Sequence, residues 1–269
     1  MKLLNLGCGH HYHTEWINVD FTKTGENVIA HNLLKGIPFD ANCADAIYHS
    51  HLFEHFHKED AVLFLKECYR VLKPDGIIRI VVPDLEKIVS EYLTHLEKSL
   101  AGDKMAQYNY EWIMLEMYDQ VVRNQRGGEM LQYLQNTEMP NKEYIYKRIG
   151  LEVKEIGHPN PSQQTFVFKK NMFIRLSDFL SRFKIKLAKI ILGNNAHFID
   201  IGQFRTLGEN HLWMYDRYSL TKLLIDCGFY NVKISNAFHS TIPEWHKYNL
   251  DVFNGEVRQP SSLFVEARK

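Results

Sequence analysis

The sequence has few cysteines, no excess of charge of either sign and no long hydrophobic run. Its 269 residues include four cysteines without a Cys-x-x-Cys pair, which argues against a zinc ribbon and a disulfide framework. A reducing, cytoplasmic location is therefore expected. Basic and acidic residues number 32 each, so no global charge attracts the chain to nucleic acid or to an anionic surface.

Membrane and secretion signals are also missing from the sequence. No run approaches the roughly 18 apolar residues of a membrane-spanning helix. The apolar stretch after Met1 stops at Gly7, which is too short for a secretory signal. We expect a soluble intracellular protein.

Short apolar runs alternate with helical patterns through the first third of the chain. Five runs rich in Val, Ile and Leu stop at turn residues and predict buried parallel strands: 2–6, 16–20, 28–33, 44–49 and 77–82. Between the last two, apolar residues recur at helical spacing over 58–72. This βαβ order predicts an α/β fold with a parallel sheet.

The pattern changes after residue 85 and returns near residue 209. Residues 86–208 are dominated by long helical stretches, whereas 219–227 predicts a helix followed by strands at 231–235 and 263–267. We therefore predict one α/β domain, formed by 1–85 and 209–269, that carries a helical insertion at 86–208. The insertion is the expected lid and acceptor-binding region.

A Gly-x-Gly turn, Gly7-Cys8-Gly9, follows the first predicted strand directly. Open α/β sheets bind ligands at this edge, although a strand end also uses glycine simply to turn. A dinucleotide fingerprint would require glycine at Tyr12, and a P-loop would require Gly-Lys-Ser/Thr after the turn. Since both patterns are absent, a nucleoside without phosphates is the favoured ligand, with Asp20 as its acidic partner.

Several segments, in order, carry a family resemblance: "LNLGCG", "WINVD", "IAHNL", "ADAIYHSHLFEHF", "ECYRVLKPDGIIRIVVPDL", and later "HLWMYDRYSLTKLLIDCGF" and "SLFVEARK". Together they resemble the class I S-adenosylmethionine-dependent methyltransferases of the type 11 group. The resemblance implies a Rossmann-like seven-stranded sheet of order 3-2-1-4-5-7-6. It also implies S-adenosyl-L-methionine as cofactor and S-adenosyl-L-homocysteine as product.

The resemblance also implies which residues bind the cofactor. They are Asn5, Gly7, Cys8, Gly9, Asp20, Asn32, Leu33, His49, Ser50 and His51. Asp20 is expected to accept hydrogen bonds from the two ribose hydroxyls, and Asn32 and Leu33 to meet the adenine. His49, Ser50 and His51, at the end of the fourth strand, are expected to face the methionine group and the methyl donor. Only about six residues separate Gly9 from the second strand, so the first helix is at most a turn and the insertion is expected to close the cofactor pocket.

The histidines suggest a base rather than a metal site. No His-Glu-x-x-His motif supports the two histidine groups, 10–13 and 49–57, so no metal is expected. A general base assists methyl transfer to a hydroxyl or a protonated amine. The candidates at the carboxyl edge of the sheet are His51, Asp84 and His211.

Acceptor contacts are expected from Gln120, Arg123 and Tyr215. Glu116, Asp119, Gln120 and Arg123 share one helix face by their spacing, which is either solvated or part of a lid hinged at Gly127-Gly128. The basic stretch 168–192 fits packing against its own domain or a second subunit, and it also fits an anionic membrane surface.

Taken together, these features predict a methyltransferase acting on a hydroxyl or amine of a small molecule or glycan precursor. Nucleic acid is disfavoured as the acceptor. The alternative is a scaffold or sensor that binds the cofactor or its product without turnover, and a second alternative is a nicotinamide oxidoreductase.

Overall fold

The computed structural model describes residues 1–136, 138–151, 153 and 176–269, with the helix backbone alone for 176–182. Its strands are β1 Leu3–Leu6, β2 Ile17–Asp20, β3 Val28–Ala30, β4 Ala44–Ser50, β5 Leu72–Pro83, β6 Tyr230–Ser235, β7 Val252–Phe253, β8 Glu256–Val257 and β9 Ser262–Arg268. Its helices are α1 Lys58–Val71, α2 Leu85–Leu100, α3 Lys104–Val122, α4 Gly128–Leu134, α5 Lys142–Ile149, α6 Leu176–Leu192, α7 His197–Arg205 and α8 Arg217–Asp226.

Seven strands form one sheet in the order β3-β2-β1-β4-β5-β9-β6. Strands β1 to β5 pair in parallel with one another, and β9 inserts antiparallel between β5 and β6. Since β9 is the seventh strand of this sheet along the chain, the predicted Rossmann-like order 3-2-1-4-5-7-6 is confirmed. The carboxyl ends of β1, β2, β4 and β5 therefore meet at one edge.

The predicted strands and helices are confirmed with shifted ends. α1 forms because Ala61, Leu65 and Cys68 recur at helical spacing and are buried against the sheet. β3 is shorter than predicted, since Asn32 caps a 3₁₀ turn over Leu33–Lys35. β5 begins earlier, at Leu72 directly after α1. The small β7–β8 hairpin was not predicted.

Each face of the sheet carries its own apolar core. One core places Leu4, Leu6 and Ile47 against α1 and α8. The other places Leu3, Tyr48 and Phe264 against the segment before the hairpin, including Trp245. Because successive residues of a strand point to opposite faces, neighbours such as Ile47 and Tyr48 belong to different cores.

The helices between β5 and α8 have a core of their own around Trp112, Ile145 and Ile149. The face predicted as solvated is instead buried at Glu116, which is 7% exposed and lies 2.7 Å from the Arg148 guanidinium. The solvated interpretation was wrong at this position because a side chain from another helix supplies the counter-charge.

Part of the predicted insertion lies outside the described residues, including residues 168–175 of the basic stretch. In the described part of α6, the side chains of Phe183, Ile190 and Ile191 are exposed. Contact of 168–192 with a membrane or a second subunit stays a prediction. Among the described residues, none of the helices combines the length and apolarity that a bilayer crossing requires.

Candidate active site

The turn after β1 brings the backbone close to its neighbours. Gly7 has φ +67°, and a Cβ at this position would lie 2.7 Å from Leu52 Cδ1, so a larger residue would force both strain and a clash. Gly9 has φ +53° and open space where a Cβ would be. The Gly7 N–H donates to the Val19 carbonyl at 2.8 Å, which holds the turn against β2.

Two buried asparagines stabilise the short connection that replaces a first helix. The Asn5 amide donates to Asn18 Oδ1 at 3.2 Å and to the His11 carbonyl at 3.3 Å. Asn18 in turn donates to the His13 and Trp16 carbonyls at 3.0 and 2.8 Å. Buried polar side chains thus satisfy the backbone of a loop that has no helix to do so. Asn5 has this structural role in addition to lining the cavity described below.

The Asp20 carboxylate is fixed at the end of β2 by backbone donors. Oδ2 accepts from the Gly9 N–H at 2.9 Å, and Oδ1 accepts from the Thr22 N–H at 3.1 Å. Each carboxylate oxygen has a further lone pair, so two hydroxyl donors can still bind. Asn32, at the end of β3, uses its side-chain oxygen to cap the 3₁₀ turn at 3.0 Å from the Leu34 N–H, and Leu33 is buried in the core.

A cavity of about 220 Å³ lies over the carboxyl ends of β1, β4 and β5. The sheet side of its lining includes Asn5, Gly7, Cys8, Gly9, Ser50 and His51. Asp20 and Asn32 lie outside this lining, at the ends of β2 and β3 along the same sheet edge. A ligand longer than the cavity would therefore run from it across the sheet edge toward Asp20.

Two residues that line the cavity are unusual, Cys8 in the pKa of its thiol and His51 in its backbone conformation. Burial, followed by the nearby Asp20 charge, raises the pKa of the Cys8 thiol to about 12, so this thiol stays protonated. His51 has φ +49°, a strained conformation for a non-glycine residue, and its N–H donates to the Val81 carbonyl at 2.9 Å.

His49 does not line the cavity. It is 0% exposed, and its ring packs against Phe53 and Phe64 on the α1 side of the sheet. Neither ring nitrogen has a hydrogen-bond partner among the described residues, and burial lowers the pKa of His49 to about 3. The expected contact with the methionine group conflicts with this placement, because strand alternation turns His49 away from the face that carries Ser50.

His51 joins the cavity to a buried carboxylate. Its Nε2 lies 2.9 Å from Ser262 Oγ and its Nδ1 lies 3.1 Å from Glu54 Oε1. Glu54 is 1% exposed, and although burial alone would raise the pKa of its carboxyl, the charges of His51, His55 and His211 lower it to about 2. The Glu54 carboxylate is thus positioned to orient the His51 ring from its Nδ1 side.

The other two candidate bases lie away from the cavity lining. Asp84 is buried and caps α2, where Oδ1 accepts from the Glu86 and Lys87 N–H groups at 3.1 and 3.4 Å. His211 is 4% exposed, with Nε2 3.9 Å from Glu54 Oε1, and burial lowers its pKa to about 3. The sequence could not show that these two residues lie outside the cavity lining, because a residue's position near the edge of the sheet does not give the direction of its side chain.

Tyr215 and Gln120 make contacts within the protein, and their expected contacts with the acceptor stay a prediction. The Tyr215 ring stacks on Phe53 at 4.9 Å between centroids, its hydroxyl has no partner among the described residues, and burial raises its pKa. The Gln120 carbonyl accepts from the His211 N–H at 2.9 Å.

Arg123 forms ion pairs with one carboxylate of the insertion and one just beyond it. Its guanidinium lies 2.7 Å from Asp119 and 3.2 Å from Glu209. The same carboxylates hold the glycine pair, since Gly127 N–H donates to Glu209 at 2.8 Å and Glu129 N–H donates to Asp119 at 2.8 Å. A second cavity of about 480 Å³ borders this network and is also lined by Tyr118.

The cavity is covered mainly by the segment before β9, which the sequence analysis missed. Its outer lining comprises Leu250, Asp251, Arg258 and Gln259, with Leu151 from the end of the helical region. The predicted insertion contributes Leu151 to this lining, and its role in closing the pocket stays a prediction. The Arg258 guanidinium lies 3.2 Å from His11 Nδ1, which links this cover to the loop after β1.

A buried ion cluster holds the cover to the sheet. Arg79, which is 0% exposed on β5, lies 2.6 Å from Asp251 and 2.7 Å from Glu266. Tyr48 donates to the other oxygen of Asp251 at 2.6 Å. A single arginine in the apolar run "IIRIVVP" was the available signal, because a charge in a central strand requires buried partners.

The donors and acceptors present fit a sulfonium nucleoside. The fixed Asp20 carboxylate suits ribose hydroxyls, and the open space at Gly9 allows a ligand to approach the backbone. None of the phosphate-binding patterns is present in the sequence, in agreement with a ligand that has no phosphate.

Comparison with known proteins places the first part of the chain in a family. Residues 4–80 match the methyltransferase domain family. No curated protein matches the chain. Among solved structures, a SAM-dependent methyltransferase from Archaeoglobus fulgidus is 15% identical over 100% of this chain and 86% of its own, with a TM-score of 0.40.

Two further solved structures are also similar. A SAM-dependent methyltransferase from Aquifex aeolicus is 11% identical over 100% of this chain and 81% of its own, with a TM-score of 0.37. The 1,6-didemethyltoxoflavin-N1-methyltransferase of Burkholderia thailandensis, with bound S-adenosylhomocysteine, is 20% identical over 30% of this chain and 44% of its own, with a TM-score of 0.26.

Proposed function

We propose that this chain, which carries a class I S-adenosylmethionine-dependent methyltransferase domain, transfers the cofactor's methyl group to a hydroxyl or amine of a small molecule or glycan precursor. The observation that carries the proposal is the juxtaposition, at one sheet edge, of the Gly7–Gly9 turn, the Asp20 carboxylate bound to it and the cavity over β4. When bound, the cofactor supplies an electrophilic sulfonium methyl.

In this mechanism the chain positions the reactants and excludes water. Asp20 accepts the ribose hydroxyls while Gly9 fixes the carboxylate, and the covering segment held by Arg79 limits solvent access. Correct alignment of the acceptor atom with the methyl group can contribute about 7–11 kcal/mol.

His51 is the proposed general base. It is the candidate that reaches the cavity lining, and Glu54 lies on its far side at 3.1 Å from Nδ1. Proton acceptance at Nε2 requires the Ser262 hydroxyl to reorient or to pass the proton on. Asp84 and His211 are less favoured as the base, because the Asp84 side chain caps α2 and the His211 side chain is buried beside Glu54.

The acceptor class rests on the neutral charge of the chain and on the size of the cavities. A polyanionic acceptor such as nucleic acid requires a basic surface, whereas the chain has equal numbers of basic and acidic residues. The cavity of about 480 Å³ along α3 supports the insertion as the acceptor-binding region. Tyr118, which is 53% exposed there, is a cleaner probe than the ion-paired Arg123.

Calorimetry with S-adenosylmethionine, S-adenosylhomocysteine and NAD tests cofactor choice. Asp20→Ala should weaken binding of the first two by about 10- to 100-fold, because charge-assisted hydrogen bonds contribute about 1.5–3 kcal/mol. The exposed Asp40→Ala variant is the matched control and should bind like the parent. Parent-like affinity in a folded Asp20→Ala variant, or binding of NAD alone, would refute the assignment.

Mass spectrometry after incubation with sugar nucleotides and small hydroxyl or amine compounds tests turnover. We expect methylated product from at least one acceptor, and Tyr118→Ala should raise KM for that acceptor without changing cofactor affinity. Tight cofactor binding with no product across such a panel would favour the scaffold or sensor alternative.

A further inference from the structure

Three metal-capable side chains converge behind the cofactor cavity. The ligating atoms of Glu54, His55 and His211 all lie within 4.8 Å of one another. Glu54 and His211 are 1% and 4% exposed, so this group is enclosed by protein. None of the three lines the cavity that we assign to the cofactor.

The backbone holds the three residues together from several directions. The Leu212 and Trp213 N–H groups both donate to the Glu54 carbonyl, at 2.8 and 3.2 Å, which places His211 beside Glu54. The His211 N–H donates to the Gln120 carbonyl at 2.9 Å. The cluster is therefore preorganised by main-chain bonds that do not involve its side chains.

The His55 ring has the orientation of a metal ligand. Its Nδ1 lies 2.9 Å from the Asn210 carbonyl, to which it can only donate, so Nε2 carries the lone pair. Metal-binding histidines are commonly oriented by such a bond from the other ring nitrogen to a backbone carbonyl. The His211 Nε2 faces the carboxylate at 3.9 Å from Glu54 Oε1.

A second observation points to a ligand. Both carboxylate oxygens of Glu54 are buried, and Oε2 accepts no hydrogen bond among the described residues. His51 Nδ1 lies 3.1 Å from the other oxygen, Oε1. A buried carboxylate oxygen that lacks a hydrogen bond is costly unless a cation compensates it.

We propose that Glu54, His55 and His211 bind a divalent transition-metal ion of the zinc class. Two imidazoles and one carboxylate are a donor set that zinc uses with an open fourth position, whereas magnesium and calcium prefer oxygen ligands alone. Ligands about 2.0–2.1 Å from a tetrahedral ion lie roughly 3.3–3.5 Å apart, so the 3.9 Å separation closes by about half an ångström. The proposal reverses the expectation from the sequence that no metal is bound.

Cobalt titration of the full-length chain, after dialysis against a chelator, tests the site directly. We expect one Co²⁺ per chain with the visible absorption of a low-symmetry nitrogen and oxygen site, displaced by Zn²⁺ and unaffected by Mg²⁺. Glu54→Gln and His211→Ala should each weaken Co²⁺ binding at least ~10-fold. His57→Ala, an exposed histidine two residues from His55, should bind like the parent.

Thermal unfolding and calorimetry with S-adenosylmethionine establish that each variant is folded. Absence of stoichiometric Co²⁺ in the parent protein would overturn the proposal whatever the variants do, and so would parent-like affinity in a folded Glu54→Gln variant. Because the readout is metal binding, failure here leaves the methyltransferase assignment intact, and failure to find an acceptor leaves the metal site testable.

Discussion

His49→Leu should make the protein more stable, and more so in acid. The His49 ring is fully buried against Phe53 and Phe64, and neither nitrogen has a partner among the described residues. Leaving buried polar groups unpaired costs about 1–3 kcal/mol. Leucine is apolar and similar in size, so we expect a gain of about 1–3 kcal/mol in the free energy of unfolding at pH 7.

The pH dependence follows from the lowered pKa of His49. The pKa is about 3 when folded and 6.5 for an unperturbed histidine. Below pH 6.5 the unfolded chain therefore binds a proton that the folded protein does not, so stability falls as pH drops toward 3. Each pH unit in this window costs about 1.4 kcal/mol. At pH 5 the advantage of His49→Leu should thus be about 2 kcal/mol larger than at pH 7.

Urea unfolding of the parent and the variant at pH 7 and pH 5 measures both effects. Calorimetry with S-adenosylmethionine on the same samples addresses the expected role of His49 at the cofactor. An equal change in stability with pH for both proteins would refute the burial argument. Loss of cofactor binding in a folded, stabilised variant would instead restore His49 to the site.

Two further predictions concern buried charges and the glycine pair. Arg79→Met should destabilise the protein by about 3–5 kcal/mol in denaturant unfolding, because two buried carboxylates lose their partner; a change below 1 kcal/mol would contradict this. Gly128→Ala should cost about 1–3 kcal/mol, since φ is +54° and the new Cβ would lie 2.3 Å from Asp119 Oδ1. Gly202→Ala, with open space and helical backbone in α7, is its control and should be neutral or stabilising.

The parallel strands and the ligand edge could be predicted from the sequence because they depend on local signals, whereas the order of the strands was implied by the family resemblance. Apolar runs that end at glycine or aspartate mark buried strands, and the helical spacing over 58–72 marks the crossover. Parallel strands then place their carboxyl ends together, so Gly7, Gly9 and Asp20 were expected to meet. In the structure the Gly9 N–H donates to Asp20.

Side-chain partners from distant segments were decided only by the tertiary structure. Arg79 forms ion pairs with Asp251 and Glu266, which lie far along the chain. His211 lies beside Glu54 because the N–H groups of the two residues after His211 donate to the Glu54 carbonyl. The direction of His49 likewise depends on which face of the strand meets α1. Periodicity gives the class of element and the end at which a residue lies, whereas burial, pairing and pKa depend on contacts that no local pattern contains.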